Sequence, residues 1–176
     1  MAEKEAERKR REKTLASLYD VYYDKIARYI FVRIGDQQEA EDLASEVFLK
    51  ALGALDSYQE RGLPMQAWLF KIAHNLVVDH LRKMSKRKAV SLDEVKAFDK
   101  ANLEEVAESR LQVERLGSAL KRLSPAQREV LGLRFFGGLT SIEAGRILGK
   151  SPGAVREMQR LALRSLRKAL GEENRK

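Results

Sequence analysis

The spacing of the apolar residues constrains the fold most strongly, because they recur every three or four positions along most of the chain. This spacing aligns them along one side of an α-helix, whereas Val, Ile and Thr do not alternate with polar residues over a length that would suit a strand. The first apolar stripe begins near Leu15 and ends at Gly35. The sequence therefore predicts an all-α protein.

Signals at the helix ends divide the N-terminal half into three helices. Asp36 is placed to cap the second helix, because its carboxylate can accept hydrogen bonds from the free amides of the first turn. Residues 56–64, DSYQERGLP, suit a loop, and Pro64 suits the first turn of the third helix. The predicted inner sides are Leu43, Val47, the run Leu49–Leu52 and Leu55 for the second helix, and Trp68, Leu69, Ile72, Leu76 and Val77 for the third.

Cap and break signals recur in the C-terminal half. The Ser-Pro pairs at 124–125 and 151–152 each place a capping hydroxyl before a proline that suits a first helical turn. Thr140 can cap a short helix that ends before Gly149, a residue that tolerates the positive φ of a tight turn. Residues 140–170 therefore predict a helix-turn-helix.

Residues 85–105, between these halves, carry no convincing apolar stripe and mix Ser, Lys, Asp and Ala. Such a composition is typical of a flexible linker. We therefore predict two small helical domains, at residues 1–84 and 106–176, joined by this linker.

Charge is distributed in blocks along the chain. The 34 Lys and Arg residues exceed the 26 Asp and Glu residues, which gives a formal net charge of +8. Residues 82–88 hold five bases and no acid, and residues 146–170 hold seven bases against Glu157 alone. Residues 93–108, in contrast, hold six acids and two bases. Clustered positive charge favours a polyanionic partner such as nucleic acid.

The cellular compartment is indicated by what the chain lacks. It has no cysteine, so nothing requires an oxidising environment. The first segment, MAEKEAERKRREK, lacks the apolar core of a secretory signal, and no later stretch reaches the ~18 uninterrupted apolar residues of a membrane span. We expect a cytoplasmic protein without membrane insertion.

Features of the helix-turn-helix other than its charge also indicate DNA binding. Ala144 and Gly145 are small residues at the point where its two helices would cross closely. On the second helix, Arg156 and Arg160 could bind phosphates or guanine edges, and Glu157 could accept a hydrogen bond from a cytosine amino group. The competing interpretation is a solvated cationic face on an ordinary bundle helix.

The third helix predicts a second nucleic-acid surface of a different kind. Its outer side would carry Lys71, His74, Asn75, His80, Arg82 and Lys83, and the preceding loop adds Tyr58 and Arg61. Cations beside an aromatic loop suit unpaired nucleic acid, because bases can stack while phosphates follow the positive surface. The competing interpretation is a charge run that is simply solvated.

Several segments resemble a known family in order and in spacing. The matching segments are EAEDLASEVFLKAL (39–52), QAWLFKIAHNLVVDHLRK (66–83), LSPAQREVLGLRFFGGLTSIEAGRILGKSPGAV (123–155) and ALRSLR (162–167). Residues 15–83 resemble region two of bacterial RNA polymerase sigma factors, and residues 116–170 resemble region four. With no other region between them, the chain resembles the extracytoplasmic-function (ECF) class.

The resemblance implies a sigma factor that binds core RNA polymerase and directs promoter recognition and melting. In this family, region two docks on the clamp coiled coil of the largest subunit and opens the proximal promoter element. Region four reads the upstream element and rests on the flap of the other large subunit. The resemblance also leads us to expect an anti-sigma factor as a partner, and it implies no cofactor, catalytic residue or metal.

The family's functional positions carry over residue by residue. The implied core-docking residues are Glu41, Asp42 and Glu46. The residues implied to hold the melted non-template strand are the loop at 57–63, with Tyr58 and Arg61, together with Lys71, His74, Asn75, Asp79, Arg82 and Lys83. The implied readers of the upstream element are Ser151, Pro152, Arg156, Glu157 and Arg160.

The chain departs from the family pattern in region four. Gly145 stands where the family often has alanine, and glycine inside a helix costs about 1 kcal/mol relative to alanine. We therefore expect region four to be less stable than usual. Residues 157–159, Glu-Met-Gln, replace the Ser-Arg-Leu of many ECF members, so their preferred upstream element cannot be transferred to this chain.

Two other classes of function, an enzyme and a stand-alone DNA-binding regulator, are alternatives to a sigma factor. An enzyme is disfavoured, because His74 and His80 lie six residues apart on one helix, poorly placed to share a metal, and no Ser-His-acid grouping is present. A stand-alone helix-turn-helix regulator explains the C-terminal half equally well. It does not explain the bases beside Trp68 or the separate acidic helix.

Overall fold

The computed structural model describes residues 1–88 and 115–173, and every regular element in these two ranges is a helix. The helices are α1 (Ala2–Ile34), α2 (Gln37–Gly53), a 3₁₀ turn (Leu55–Ser57), α3 (Met65–Lys88), α4 (residues 115–121), α5 (Pro125–Leu131), a π-helical turn (Gly132–Phe136), α6 (Ser141–Leu148) and α7 (Pro152–Glu173). The all-α prediction is confirmed. The first four residues of the proposed linker, 85–88, continue α3, and the rest of the linker and the start of the second domain fall on residues outside the described ranges.

Helix α1 is longer at its N-terminus than the apolar stripe indicated. It begins at Ala2 and is attached to the rest of the fold by two arginines. Arg8 pairs with Asp56 at 3.1 Å, and Arg11 donates to the Leu55 carbonyl oxygen at 3.0 Å. The charged first segment is therefore a helical extension that contacts the 3₁₀ turn after α2.

Helices α1, α2 and α3 form the N-terminal domain. The predicted cap of α2 is present, since Asp36 Oδ1 accepts from the Glu39 amide at 3.0 Å. The core is built from fully buried side chains of all three helices, namely Ile26, Tyr29, Ile30, Ala44, Val47, Ala51, Leu69, Phe70, Ala73 and Val77. Trp68 lies at the margin of this core, partly buried, with its ring centroid 4.8 Å from that of Tyr58.

The prediction for the inner side of α2 was partly wrong. Leu43, Val47 and Ala51 are buried, but Leu49 and Leu52 are 69% and 46% exposed. At 100° per residue, the latter two lie on the opposite side of the helix from the buried stripe. They therefore belong to the outer surface of the domain.

Helices α4 to α7 form the C-terminal domain, whose helix ends are capped as predicted. Ser124 and Gln127 form a reciprocal capping box at α5, and Thr140 and Glu143 form another at α6. Gly149 takes a φ of 64° in the turn before α7. These caps satisfy amides that a helix start would otherwise leave without partners.

The two domains pack against each other, so that one apolar cluster extends through both. Leu133, Leu139, Ala144, Ile147 and Val155 of the C-terminal domain join the N-terminal core. Part of the α7 face packs instead within its own domain, where Ala162 contacts Leu123 and Leu131. No helix within the described ranges combines the length and apolar character needed to cross a membrane.

Candidate nucleic-acid interface

The helix-turn-helix predicted from the sequence is formed by α6 and α7. Ser151 Oγ accepts from the Ala154 amide at 3.1 Å and caps α7, and Pro152 follows as its first residue. Val155 is fully buried on the inner side of α7, whereas Arg156 is exposed. The first turns of α7 are therefore held by their apolar side and present their polar side to solvent.

The exposed side of α7 carries an ordered ion pair. Arg160 donates from Nε and Nη2 to the two carboxylate oxygens of Glu157, at 3.0 and 2.7 Å. The hydrogen bond from Arg160 lowers the pKa of Glu157, and the same bond raises the pKa of Arg160. Both side chains are more than half exposed, so the pair contributes little to stability. It does orient the guanidinium on the outer face of the helix.

Two further contacts position α7, and the sequence contained no signal for them. Arg134, on the π-helical turn, donates to Gln159 at 2.8 Å and to the Leu139 carbonyl oxygen. Arg156 donates to Ser141 Oγ at 3.1 Å, which links α7 to the start of α6. The supporting helix and the exposed helix are thus joined by side chains as well as by their apolar crossing.

The outer side of α3 carries most of the residues predicted to hold single-stranded DNA. Lys71, Asn75 and Lys83 are exposed. Asp79 and Arg82 are also exposed and form an ion pair with each other. Their spacing places all five along one side of the helix, which forms a continuous polar surface.

Tyr58 and Arg61, in the loop before α3, differ in their exposure. Tyr58 is buried beside Trp68 and donates to the Leu63 carbonyl oxygen at 3.0 Å. Burial, and then the charge of Glu60, raises the pKa of Tyr58. Arg61 is exposed. In this structure Tyr58 supports the loop, and base stacking by Tyr58 stays a prediction.

His74, also predicted to contact DNA, lies at the junction of the two domains. Its Nδ1 contacts Glu129 Oε1, which also accepts from the Tyr29 hydroxyl at 3.0 Å. Glu129 Oε2 pairs with the Arg33 guanidinium at 2.8 Å. A carboxylate of the C-terminal domain is therefore surrounded by three donors of the N-terminal domain.

The charge state of this junction follows from its contacts. Burial by itself would raise the pKa of Glu129, but the hydrogen bond from His74 and the charge of Arg33 outweigh it and lower that pKa. Burial, with the adjacent Glu129 charge, raises the pKa of Tyr29 well above its ordinary value. Glu129 is therefore ionised, and the Tyr29 hydroxyl stays protonated and donates.

The predicted acidic docking residues lie on the exposed side of α2. Glu41 and Asp42 accept from Gln37 and Gln38 at 3.2 and 3.3 Å, and Glu46 lies 3.9 Å from Lys50. The exposed Leu49 and Leu52 continue this side toward the end of the helix. The surface is thus mixed acidic and apolar, whereas the sequence predicted only its acidic part.

Two segments of the chain match known protein families. Residues 18–87 match the family Sigma-70 region 2, and residues 119–168 match Sigma-70, region 4. Together the two matches cover the N-terminal domain and the helix-turn-helix. The two regions, in this order on one chain, define a protein of the sigma-70 class.

Two similar proteins identify the family to which the chain belongs within the sigma-70 class. The chain is 38% identical over 161 residues to the ECF RNA polymerase sigma factor BldN of Streptomyces coelicolor, covering 90% of this chain and 61% of that protein. It is 41% identical over 138 residues to the ECF RNA polymerase sigma factor ShbA of Streptomyces griseus, covering 76% of this chain and 72% of that protein. The chain belongs to the family of ECF RNA polymerase sigma factors.

A solved structure supports the fold. The sigma factor RpoE of Bartonella quintana, in complex with the anti-sigma factor NepR, aligns with a TM-score of 0.77 at 22% identity, over 90% of this chain and 98% of that chain. The resemblance drawn from the sequence motifs is thus confirmed, for the family by the similar sequences and for the fold by the solved structure.

Proposed function

We propose that this chain binds core RNA polymerase in the cytoplasm and directs it to promoters, where it recognises two DNA elements and promotes melting. The observation that supports the proposal is the presence of two distinct exposed polar surfaces on one chain. One is the exposed side of α7 in a helix-turn-helix, and the other is the polar side of α3. The proposed role is one of binding rather than catalysis.

The α7 surface suits recognition of the upstream element in duplex DNA. Arg156 and Arg160 can bind guanine edges or phosphates in the major groove, and Glu157 can accept from a cytosine amino group. Ser151 and Pro152 stand at the start of the same helix, the end that enters the groove in a helix-turn-helix. Oriented donors of this kind favour selective binding over general attraction to DNA.

The α3 surface suits the melted strand of the proximal element. Lys71, Arg82 and Lys83 can follow the phosphates, while Asn75 and Asp79 offer hydrogen bonds to base edges. Such a surface needs no covalent chemistry to open DNA. By binding unpaired bases more tightly than paired ones, it shifts the opening equilibrium toward the melted state.

The outer side of α2 suits docking to polymerase. Glu41, Asp42 and Glu46 provide a negative face for the clamp coiled coil, and the exposed Leu49 and Leu52 add apolar area beside it. The C-terminal domain would rest on the flap. Both contacts follow the family pattern implied by the matched segments.

Reconstituted transcription tests the proposal. Purified core enzyme and the full chain, mixed with native genomic DNA, should yield transcripts with defined start sites that core enzyme alone does not produce. If the chain fails to associate with core enzyme, the proposal is wrong. Sequence-specific binding to duplex DNA without polymerase would instead identify a stand-alone regulator.

We further propose that an anti-sigma factor sequesters this chain. RpoE of Bartonella quintana was solved with the anti-sigma factor NepR, which supports a similar partner here. Size fractionation of a native extract tests the idea. A chain found in every condition only in one-to-one association with polymerase would contradict it.

A further inference from the structure

We propose that the N-terminal extension of α1, residues 2–14, positions the loop at 57–63 for contact with the melted strand, with Arg8 and Arg11 as the positioning residues. The extension precedes the segment that matches Sigma-70 region 2, which begins at residue 18. The inference rests on the proposed function, because it concerns a loop that the family resemblance implies as a contact for the strand. The extension would thus contribute to selection of the proximal element through the loop.

Arg11 joins the extension to the turn from which the loop begins. It donates from Nη1 to the Leu55 carbonyl oxygen at 3.0 Å, and the Tyr58 amide donates to the same oxygen at 3.3 Å. Leu55 itself is buried in the core of the domain. The guanidinium is oriented from its other side by Glu7, which accepts from Nη2 at 2.5 Å. One carbonyl oxygen therefore connects the extension with the first part of the loop.

Arg8 makes a second contact to the same turn. Its Nη1 pairs with Asp56 Oδ2 at 3.1 Å. Both side chains are more than half exposed, whereas 27% of the Arg11 side chain is exposed, so water weakens the Arg8 contact more. Because Arg8 and Arg11 lie three residues apart on one side of α1, they hold two successive residues of the turn, Leu55 and Asp56.

The tip of the loop depends on this turn for its direction. Tyr58 follows the turn and donates to the Leu63 carbonyl oxygen at 3.0 Å, which closes the loop. Its ring also packs against Trp68, with 4.8 Å between the ring centroids. Residues 59–62, between these contacts, are exposed. A shift of the turn held by Arg11 would therefore be transmitted to the exposed tip.

The charges of the extension suit positioning better than direct contact with DNA. Three of its bases pair with acids four residues away, namely Arg8 with Glu12, Lys9 with Glu5 and Arg11 with Glu7. Pairs at this spacing also support the helix. A cation already paired with a carboxylate attracts a phosphate less strongly, because the two charges largely cancel at a distance.

Ordering the loop in advance lowers the cost of binding the strand. A loop that becomes ordered only on contact with DNA loses conformational entropy at that step, and this loss reduces the affinity. A tip that adopts several directions also accommodates more than one base. Loss of the Arg11 contact should therefore weaken both affinity and discrimination at the proximal element.

Four single substitutions in the full chain separate positioning from a general effect of charge. Arg11→Ala removes the contact to Leu55, whereas Arg11→Lys keeps a positive donor at the same position. Arg8→Ala removes the exposed pair with Asp56. Arg10→Ala is the matched control, because Arg10 is exposed on another side of the same helix. Circular dichroism confirms that each variant is folded.

Trp68 reports the state of the loop without polymerase or DNA. It is the single tryptophan of the chain, and its ring packs against Tyr58. We expect Arg11→Ala to increase quenching of Trp68 emission by acrylamide and to shift the emission to longer wavelength. Arg8→Ala should cause a smaller change, Arg11→Lys should restore part of the loss, and Arg10→Ala should match the parent chain. Unchanged emission and quenching in a folded Arg11→Ala variant would overturn the inference.

Selection of the proximal element is measured with the reconstituted holoenzyme. Open-complex formation is compared on a mapped promoter and on templates substituted singly in the proximal or the upstream element. We expect Arg11→Ala to lower open-complex formation on the native template about tenfold, as for loss of one hydrogen bond to a charged group. Discrimination should fall in the proximal element alone. An equal loss on every template would indicate a purely structural role and would overturn the inference.

A double-mutant cycle tests whether Arg11 acts through the loop. Replacement of residues 59–61 with alanine removes the side chains of the tip. In that background Arg11→Ala should cost less than about twofold, because the side chains to be oriented are gone. A tenfold loss in both backgrounds would show that Arg11 acts elsewhere.

Failure of the proposed function gives a distinct pattern. A parent chain that directs no transcription by core enzyme contradicts the proposed function, whatever Trp68 reports. A parent chain that transcribes normally, while Arg11→Ala keeps full selection of the proximal element, contradicts the positioning role alone.

Discussion

A Cβ added to Gly145 would lie 2.4 Å from the carbonyl oxygen of Lys150, on the far side of the helix-turn-helix turn. The Lys150 amide also donates to the Gly145 carbonyl oxygen at 2.8 Å, so the two residues are held close together. Glycine at this position therefore has a packing role in the turn. Its helix-propensity cost, considered alone, would misjudge its effect on stability.

We expect Gly145→Ala to destabilise the protein, even though alanine is the better helix former by about 1 kcal/mol. Displacing the backbone of Lys150 should cost about 1–3 kcal/mol, as for other overpacked sites. Urea denaturation of the full chain measures the difference. Gly153→Ala is the matched control, because the nearest atom, at the end of the Arg156 side chain, lies 4.0 Å from the added Cβ. A Gly145→Ala variant as stable as the parent would contradict the argument.

Arg160→Ala should weaken recognition of the upstream element. Loss of one oriented arginine contact to a base is expected to cost about 1–3 kcal/mol. Promoter binding by the reconstituted holoenzyme, compared on the native upstream sequence and on substituted ones, measures both affinity and selectivity. Arg167→Ala, farther along α7, should reduce affinity less and equally for all sequences. Equal effects of the two substitutions would indicate that Arg160 binds only phosphate.

The exposed leucines of α2 should contribute to polymerase binding. Replacing Leu49 and Leu52 together with alanine should change the free energy of unfolding by less than about 0.5 kcal/mol per site, because both side chains are exposed. The same change should weaken core binding about tenfold, as expected for apolar anchors in an interface. Titration of labelled chain with core enzyme measures the affinity. Val21→Ala, an exposed apolar control on α1, should bind as the parent does.

Acid should remove the contribution of Glu129 to stability. The pKa of Glu129 is lowered from 4.5, against the opposing effect of burial, by the His74 hydrogen bond and the Arg33 charge. The contribution is therefore fully present above pH 4.5 and is lost as the pH falls through the lowered value. Arg128 also faces this cluster, and its own pKa is lowered by burial and by Arg33.

The difference in free energy of unfolding between the parent chain and Glu129→Gln, followed by urea denaturation from about pH 6 to about pH 3, isolates this effect. We expect the difference to be constant in the upper part of the range and to shrink toward the lower part. A difference that grows with acidity would mean that Glu129 is not stabilised in its ionised form.

Much of the fold was predictable because the relevant signals are local. The Asp36, Ser124, Thr140 and Ser151 caps act over three residues, and each is present where the sequence placed it. The polar side of α3 and the exposed side of α7 follow from helical periodicity alone. Family membership followed from segments whose order and spacing are visible without any structure.

The incorrect predictions concern positions where packing against neighbouring helices determines which side of a helix is buried. Leu49 and Leu52 carry an apolar signal but face outward, because Leu43, Val47 and Ala51 already fill the side of α2 that meets α1 and α3. Tyr58 was not predicted wrongly, since its contact with DNA stays a prediction, but its burial beside Trp68 had no sequence signal. Neither outcome can be read from composition.

Helical periodicity, caps and charge blocks thus determined by themselves that this chain forms helices with two cationic faces, because those signals act within a few residues of one another. Only the tertiary structure decided that Glu129 meets Arg33, Tyr29 and His74, residues more than fifty positions away in the chain. Such a contact depends on which faces of the two domains pack against each other. No local sequence pattern in either segment indicates that packing.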